Sequence, residues 1–319
     1  MDFNLLKKRL EGCYITLPTF FKDPELEFDL EATRKAARFQ LENGMTEKYA
    51  TLLAGGAAGD FSTMTFDHRV KVAAAVVEEV AGRVPVAMGA QTTSTMEVKR
   101  LAKAAASLGV DFIQVSCPFY FPHTEEDFYA FVAEAAAAAD VGIIIYNTFW
   151  TASAISFNTV DRLVSIPNVV GLKWACPRTD AMEFEDVVSH FASRLCIIDN
   201  HIQYVISHIL GARAFEVHVA TYWPEWGIRL IDMLEAGRYA EVQRAMIREA
   251  MPFYKLWVEI EKTYTAGDGY LNKLCMELVG LPSSRCRPPT RDVRPAYREP
   301  ARKMLIQTGA PRVMAAAAE

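Results

Sequence analysis

The chain has 319 residues, of which 51% are hydrophobic and 23% are charged, a globular composition that excludes disordered and collagen-like proteins. Lysine and arginine total 34 against 39 aspartate and glutamate, and the formal net charge is −5. Because no long basic run stands out, the sequence lends little electrostatic support to a nucleic-acid or anionic-membrane partner. The length suits two domains of about 150 residues or one α/β barrel of about 250 residues with extensions.

The N-terminal segment and the cysteines indicate the compartment. The segment MDFNLLKKRLEG lacks the apolar core and small-residue cleavage site of a signal peptide, and each apolar stretch is interrupted before the ~20 residues that a membrane helix needs. The six cysteines are dispersed without a C-x-x-C pair, which is typical of reduced, buried thiols. We therefore expect a cytoplasmic protein with no membrane anchor, no disulfide framework and no zinc site.

Short apolar runs rich in Val and Ile alternate along the chain with longer segments of helical periodicity. The runs predict eight strands, at residues 14–17, 49–54, 84–89, 111–116, 141–147, 169–174, 195–200 and 214–219. Between them, cap-like Ser, Thr and Gly residues bound predicted helices such as 29–43, 66–81, 96–108 and 125–138. From residue 226 the pattern is purely helical, with predicted helices at 226–235, 239–262, 269–279 and 299–308.

Strands this apolar are typical of parallel sheets with helices on both faces. Eight strand-then-helix repeats over about 225 residues match the (β/α)₈ barrel. A doubly wound sheet with fewer strands is the alternative, and the barrel is favoured because eight evenly spaced strands can close without leaving edges. We predict an α/β fold, with a TIM (β/α)₈ barrel at 1–225, a C-terminal helical region at 226–308 and a flexible tail at 309–319.

In such a barrel, reactive groups lie at the carboxyl ends of the strands. Lys173 stands in the apolar run VVGLKWACP of the sixth predicted strand. Because burial disfavours a charged amine, a buried Lys173 would be held neutral and could condense with a ketone to form a Schiff base. The alternative is a lysine at the solvent end of its strand, with the ammonium extended outward.

Tyr146 ends the strand that precedes the strand of Lys173. Neighbouring barrel strands lie about 4.8 Å apart, so the two side chains can converge if both face inward. A phenol beside an imine can relay protons to and from the reacting groups. The alternative is a rim tyrosine that packs against a loop.

Taken in order, these motifs resemble a known family. The ITLPTF first strand, the glycine turn after strand two, the YN after strand five and the GLK of strand six are similar to the dihydrodipicolinate synthase/N-acetylneuraminate lyase family over nearly the whole chain. The resemblance implies Schiff-base chemistry on pyruvate or a related 2-oxo acid, with no metal and no cofactor beyond the covalent imine. It implies Lys173 as the imine-forming lysine, Tyr146 as the proton-relaying tyrosine, and Tyr120 of CPFYFP as a second tyrosine. In the synthase branch that second tyrosine comes from a neighbouring subunit or shapes the relay. The family usually assembles as a tetramer, a dimer of dimers, and the resemblance therefore implies a homo-oligomer, a tetramer or a dimer.

The turn after strand two departs from the family. The family's Gly-Thr-Thr-Gly-Glu is here GAAGD, so the hydroxyls that would hold the substrate carboxylate and pass protons to the tyrosine are missing. Backbone N–H groups of such a turn can still bind a carboxylate, although two hydrogen bonds of about 0.5–1.5 kcal/mol or more are lost. Pyruvate itself is therefore in question as the natural donor. The candidate substrate-binding residues here are Thr19, Gly56, Ala57, Ala58 and Gly59.

A second departure follows the YN motif. The arginine that binds the second substrate's carboxylate in the synthase branch aligns with Thr151, and the resemblance therefore argues against lysine biosynthesis. Arg178, in CPRTD, is a candidate substitute, with a solvated loop arginine as the alternative.

Bulky aromatic residues and two polar residues complete the predicted site. Aromatic rings in loops over the pocket favour an apolar or aromatic substrate portion, with loop packing or an oligomer interface as the alternative for Phe149, Trp150, Trp174, Tyr222 and Trp223. Glu216 and His218 are two residues apart on strand eight and so share a face. We expect them to face inward, where Glu216 could act as an acid or base near the imine, because against the helix layer both would need partners.

The sequence therefore predicts a Schiff-base-forming lyase of the aldolase or hydratase-aldolase type. Its substrates would be pyruvate or another 2-oxo acid and a hydrophobic or aromatic aldehyde. The alternatives are a dehydratase or aldolase of 2-oxo-3-deoxy sugar acids, and a catalytically lapsed barrel that binds a 2-oxo acid. Metal-dependent chemistry is disfavoured because the six histidines are scattered, with only His201 and His218 near the pocket, and we expect no metal site.

Overall fold

The computed structural model describes residues 2–150, 154–177 and 180–315. Within these residues, eight parallel strands pair in chain order and close into a barrel, which confirms the predicted fold class. Strand β8 pairs back with β1, with Ala214 opposite Gly12. The strands are β1 (Gly12–Leu17), β2 (Ala50–Ala54), β3 (Val86–Gly89), β4 (Phe112–Ser116), β5 (Gly142–Asn147), β6 (Val169–Trp174), β7 (Cys196–Asp199) and β8 (Ala214–Glu216).

Helices connect the strands and continue beyond the barrel. Those around the barrel are α1 (Phe3–Arg9), α2 (Leu30–Glu42), α3 (Phe66–Val80), α4 (Thr95–Leu108), α5 (Glu125–Ala138), α6 (Phe157–Leu163), α7 (Ala181–Phe191) and α8 (Tyr204–Leu210). Those that follow it are α9 (Pro224–Glu235), α10 (Tyr239–Ala245), α11 (Met251–Thr263), α12 (Tyr270–Leu278) and α13 (Arg294–Thr308). One turn of π-helix, Met246–Ala250, joins α10 to α11.

Several element boundaries follow local chemistry. Thr65 and Thr124 form capping boxes at the starts of α3 and α5, where the side-chain oxygen accepts an otherwise unpaired N–H. The last helix begins at Arg294, five residues before the predicted start at 299, because Pro295 suits a first helical turn. Strand β8 ends at Glu216 rather than at the predicted 219, because the chain turns into a 3₁₀ segment, His218–Thr221.

The strands are buried on both faces. Facing outward, their side chains pack against the helix layer in the larger hydrophobic cluster. Facing inward at the amino-terminal end, apolar side chains fill the barrel, and α1 supplies Leu6 and Leu10 to the same cluster. A Cβ on Gly171 would come within 2.6 Å of Leu10, so this glycine allows α1 to close the barrel floor. Polar inward-facing groups are therefore left to the carboxyl end.

The segment after α13 is held against the fold. The N–H of Met314 donates to the carbonyl oxygen of Leu278 at 2.9 Å, and Arg312 forms an ion pair with Glu225 at 2.6 Å. The flexible tail expected from residue 309 is thus bound to the helical region as far as Met314, and residues 316–319 lie outside the described residues. Among the described helices, none is both long and apolar enough to cross a membrane.

Candidate active site

A cavity of about 810 Å³ opens at the carboxyl ends of the barrel strands, within the usual size range of small-molecule sites. The barrel contributes Thr16, Gln114, Tyr146, Lys173 and Glu216 to its wall. The C-terminal region contributes Tyr254, Trp257, Glu261, Asp268 and Thr290. The two regions predicted as separate units therefore build one site.

Lys173 and Tyr146 are direct neighbours in the β5–β6 register. The Lys173 side chain points into the barrel and is 4% exposed. Its Nζ lies 4.6 Å from the ring centroid of Tyr146 and 5.3 Å from that of Tyr14. The predicted convergence of lysine and tyrosine is thus present in the structure, with the amine over the ring face of the tyrosine.

The Tyr146 hydroxyl accepts a hydrogen bond from Asn200 Nδ2 at 3.3 Å. Burial, together with the negative charges of Glu216 and Asp268, raises the pKa of Tyr146 well above its ordinary value. The phenol therefore keeps its proton at neutral pH and can donate it into the cavity.

Glu216 faces inward and pairs with the lysine. Its Oε2 accepts a hydrogen bond from Lys173 Nζ, and its Oε1 accepts one from Thr16 Oγ1 at 2.9 Å. His218 Nε2 lies 3.8 Å from Oε1. Burial by itself would raise the pKa of Glu216. The positive charges of Lys173 and His218 and the hydrogen bonds from Lys173 and Thr16 act in the opposite direction. Their combined effect is larger than that of burial, and the pKa of Glu216 lies below its usual value. The Lys173 amine therefore shares its buried site with the Glu216 carboxylate.

The turn after β2 presents its alanines to the cavity. Ala57 and Ala58 line it, whereas the two glycines form the back of the turn. A Cβ atom on Gly56 would lie 2.4 Å from Leu53 Cδ2, and one on Gly59 would lie 3.1 Å from the carbonyl oxygen of Leu17. The first N–H groups of a 3₁₀ turn have no hydrogen-bond partner within the turn. In this turn they are the N–H groups of Ala57 and Ala58.

Thr19 supports this turn from behind. Its Oγ1 donates to the carbonyl oxygen of Gly59 at 2.8 Å, and its side chain is fully buried. We expected Thr19 to bind substrate; in the structure it positions the turn, and it is not among the described residues that line the cavity.

The aromatic residues divide into two groups. Phe149 and Trp150 line the cavity, pack edge to face with centroids 5.0 Å apart, and reach Tyr146 through Trp150 at 6.2 Å. Trp174 faces the opposite way from Lys173, as strand alternation requires, and its Nε1 donates to Glu183 in the helix layer at 2.9 Å. Of the predicted pocket aromatics, Trp174, Tyr222 and Trp223 are buried and do not line the cavity formed by the described residues.

Tyr120 lies apart from this cavity. Its side chain is 86% exposed, its φ of 89° is in the left-handed region, and its ring contacts Phe121 edge to face at 4.9 Å. Within one described chain it is therefore not brought to Lys173. Thr151 and Arg178, considered above for the second carboxylate, lie outside the described residues.

Several lining residues escaped the sequence prediction. Strand alternation, counted back from Ser116, would have found Gln114, which lines the cavity. Its Oε1 accepts a hydrogen bond of 3.1 Å from the hydroxyl of Tyr14, which is fully buried. No local signal pointed to the residues of the C-terminal region, because their helices carry ordinary amphipathic patterns.

Asp268 is the most specifically placed of these C-terminal residues. It lies between Gly267 and Gly269, which both have positive φ. A Cβ atom on Gly267 would lie 2.6 Å from Thr290 Oγ1, and one on Gly269 would lie 2.3 Å from the Ala58 carbonyl oxygen. Only glycine permits this backbone path at such close approach. Burial raises the pKa of Asp268, so the cavity holds two carboxyl groups whose pKa values are displaced in opposite directions.

Asp199, at the end of β7, organises the start of α8 beside the cavity. It accepts hydrogen bonds from the His201 N–H at 2.6 Å and Ser207 Oγ at 2.7 Å, yet burial raises its pKa to about 6. The folded state thus binds the Asp199 proton more tightly than the unfolded state does. The stabilisation that this proton gives to the folded state is present below about pH 4 and is lost as pH rises through 6.

We expect Asp199→Asn to flatten the pH dependence of unfolding between pH 4 and 6. The wild type should lose roughly 2–3 kcal/mol across this window relative to the variant, since one pKa unit corresponds to about 1.4 kcal/mol. Urea unfolding at several pH values measures this difference, with the exposed Asp140→Asn as control. Parallel curves for the wild type and Asp199→Asn would contradict the assignment.

Residues 11–308 match the model of the Dihydrodipicolinate synthetase family. The 4-hydroxy-tetrahydrodipicolinate synthase of Thermotoga petrophila is 34% identical over 174 residues, which are 54% of this chain and 57% of that protein; the match thus spans little more than half of that relative's length.

Two solved structures share the fold. The dihydrodipicolinate synthase of Aquifex aeolicus has a TM-score of 0.80 at 24% identity, covering 95% of this chain and 99% of that one. The sialic acid aldolase of Ruminococcus gnavus, a catalytic lysine mutant, has a TM-score of 0.80 at 20% identity, covering 95% and 97%. From the family match over most of its length, the chain belongs to the dihydrodipicolinate synthetase family.

Proposed function

We propose that the chain is a Schiff-base-forming lyase of the aldolase or hydratase-aldolase type that acts on pyruvate or another 2-oxo acid. The observation that carries this proposal is the buried Lys173 amine in the cavity wall, over the ring of Tyr146. An imine on Lys173 draws electrons from the adjacent carbon, and this allows a carbon–carbon or carbon–oxygen bond to break or form. Tyr146 supplies and removes protons at the substrate oxygen.

The carboxylate of the 2-oxo acid would bind at the turn Gly56–Gly59. The two alanines at the start of this turn line the cavity, and backbone N–H groups of such turns form anion-binding concavities. This mode of binding needs no side-chain hydroxyl.

The partner substrate would carry an apolar or aromatic portion. Phe149, Trp150 and Trp257 line the cavity and would bury such a group. Two carboxyl side chains, Glu261 and Asp268, also line it and would repel a second carboxylate on the aldehyde. We therefore propose that lysine biosynthesis is not the role of this protein.

The imine is tested directly with borohydride. Incubation with pyruvate or another 2-oxo acid and borohydride should add the reduced imine to the peptide that contains Lys173, detected by mass spectrometry. Absence of an adduct with every 2-oxo acid offered, the 2-oxo-3-deoxy sugar acids included, would favour a lapsed binding barrel. Turnover of the sugar acids without turnover of aromatic aldol substrates would favour the dehydratase alternative.

We expect Trp150→Ala to raise the KM for an aromatic aldehyde partner by about 5-fold or more, because one buried aromatic contact is worth at least about 1 kcal/mol. Ile306→Ala is the control, since Ile306 is similarly exposed, at 63% against 55% for Trp150, but lies on α13. Steady-state kinetics with aromatic and short aliphatic aldehydes measure the effect. If Trp150→Ala and Ile306→Ala have the same KM for the aromatic aldehyde, the proposal of an aromatic partner substrate is contradicted.

Trp174→Ala should behave differently from Trp150→Ala. Trp174 packs between β6 and the helix layer, against Phe157, so its truncation should lower stability by about 3–5 kcal/mol. The KM should change little in the folded fraction. Thermal unfolding together with KM values separates the two tryptophans, and a KM increase without loss of stability would contradict this placement.

We also propose a homo-oligomer, a tetramer or a dimer. The adjacent exposed rings of Tyr120 and Phe121 support a subunit contact that would bring the second tyrosine to a neighbouring site. Light scattering after size exclusion tests this, and a monomer with full activity would contradict it.

A further inference from the structure

The feature that sets this cavity apart is a carboxylate in direct contact with the reactive amine. We propose that Glu216 takes the proton that Lys173 must lose before it attacks a carbonyl, and afterwards serves as the counter-ion of the protonated imine. This inference rests on the proposed Schiff-base function and names the group that makes the amine nucleophilic. It treats Glu216 as a catalytic residue, because its Oε2 touches the reacting nitrogen.

A proton acceptor is required because an ammonium group has no lone pair with which to attack. The hydroxyl of Tyr146 is engaged with Asn200 Nδ2, and Nζ lies over the ring of this tyrosine. Glu216 is already hydrogen-bonded to Nζ. Transfer along an existing hydrogen bond needs no rearrangement of either side chain.

The surroundings hold the carboxylate in this position. Thr16 Oγ1 occupies its second oxygen at 2.9 Å, and the Tyr204 hydroxyl donates to the backbone carbonyl of Glu216. The side chain is 5% exposed, so solvent screens the pair weakly. Six titratable groups from six other parts of the fold act on Glu216: Tyr14 on β1, Tyr146 on β5, Lys173 on β6, His218 after β8, Tyr254 on α11 and Asp268 before α12.

The proton balance closes within the pair. One proton moves from Nζ to Oε2, which leaves a neutral amine and a neutral carboxyl. The amine forms a bond to the carbonyl carbon, the C=O π electrons move to oxygen, and a second Nζ proton moves to that oxygen to give the carbinolamine. The carboxyl then returns its proton to the carbinolamine hydroxyl, the C–O bond breaks, and water leaves with the electron pair. The nitrogen lone pair closes the C=N bond, so a protonated imine stands beside an ionised Glu216.

The charge of the site is therefore the same before and after imine formation. The ammonium–carboxylate pair becomes an iminium–carboxylate pair, and no net charge is created in a buried place, where it would be costly. An apolar side chain at position 216 would offer neither the acceptor nor the counter-ion.

The test is the pH profile of imine trapping by pyruvate and cyanoborohydride, which reduces iminium ions in preference to free carbonyls. The wild type should show a plateau near neutral pH and a fall on the acid side as Glu216 protonates. Glu216→Gln should trap about 100-fold or more slowly at pH 7, with a rate that rises with pH because bulk base must deprotonate the amine. Glu216→Asp should recover part of the rate and the plateau.

Glu249→Gln is the matched control, because Glu249 is an equally buried carboxylate paired with Arg229 and Trp226 away from the cavity. It should leave the trapping rate and its pH profile unchanged. A Glu216→Gln profile identical in rate and shape to the wild type would overturn the inference. A wild type that forms no adduct on Lys173 at any pH would instead overturn the proposed function.

Thr16→Val decides the matter if Glu216→Gln does not fold. Removal of the hydroxyl takes one hydrogen bond from the Glu216 carboxylate and leaves its contact with Lys173 intact. The acid limb of the trapping profile should then move to higher pH by about 0.5–1 unit. A folded Thr16→Val whose acid limb has not moved would overturn the assignment.

Discussion

Lys173→Arg is expected to abolish borohydride trapping and to lower turnover by at least about 10⁴-fold, the scale of losing a covalent nucleophile. Arginine keeps a positive charge beside Glu216, so the fold should survive, but a guanidinium stays protonated and forms no imine. Turnover, trapping and urea unfolding of one preparation measure the three properties together. The exposed Lys103→Arg serves as control and should match the wild type in all three.

Lys173→Met separates chemistry from stability at the same position. It removes the nucleophile and also leaves the Glu216 carboxylate buried without its cation, which should lower the free energy of unfolding by about 3–5 kcal/mol near neutral pH. Lys173→Arg should be far less destabilised. Trapped adduct or substantial turnover in either variant would show that another group carries the reaction.

Lys273→Met is expected to be among the most destabilising single substitutions in this chain, by about 3–5 kcal/mol. Lys273 is fully buried on α12; its Nζ donates to Asp60 Oδ2 at 2.6 Å and to the Arg285 carbonyl oxygen at 3.2 Å. Removing the ammonium leaves the Asp60 side chain, which is only 5% exposed, without this ion-pair partner. Denaturant unfolding near neutral pH measures the loss.

The double variant Asp60→Asn with Lys273→Met should recover most of this stability, because it removes both charges together. Asparagine suits position 60, where φ is +60°, since its side chain tolerates the left-handed region. Lys8→Met is the surface control: the pair Lys8–Glu11 is exposed and should contribute less than about 1 kcal/mol. A Lys273→Met loss no larger than that of Lys8→Met would contradict the buried-pair assignment.

The Asp60–Lys273 pair also connects the C-terminal helices to the site. Asp60 directly follows the turn that presents Ala57 and Ala58 to the cavity, and Gly269, at the start of α12, packs against the Ala58 carbonyl oxygen. A substitution at Lys273 should therefore raise the KM for the 2-oxo acid as well as lower stability. Steady-state kinetics at a temperature where the variant is folded test this coupling, and an unchanged KM would contradict it.

The sequence alone determined the barrel and the position of Lys173 on its sixth strand. The strand count followed from apolar runs whose period and length are local properties of the chain. The neighbouring places of Tyr146 and Lys173 followed from chain order, because consecutive parallel strands lie side by side in a barrel. Alternation within β6 would also have turned Trp174 away from the cavity once Lys173 was taken to face it.

Only the tertiary structure decided which charges meet. Lys173 and Glu216 are 43 residues apart, and Asp60 and Lys273 are 213 apart; no local period relates residues at such separations. The first pair depends on how the strands are staggered when β8 closes against β1, and the second on how the C-terminal helices pack over the barrel mouth. Burial then makes each pairing decisive, because a charge removed from water must find its partner within hydrogen-bond distance.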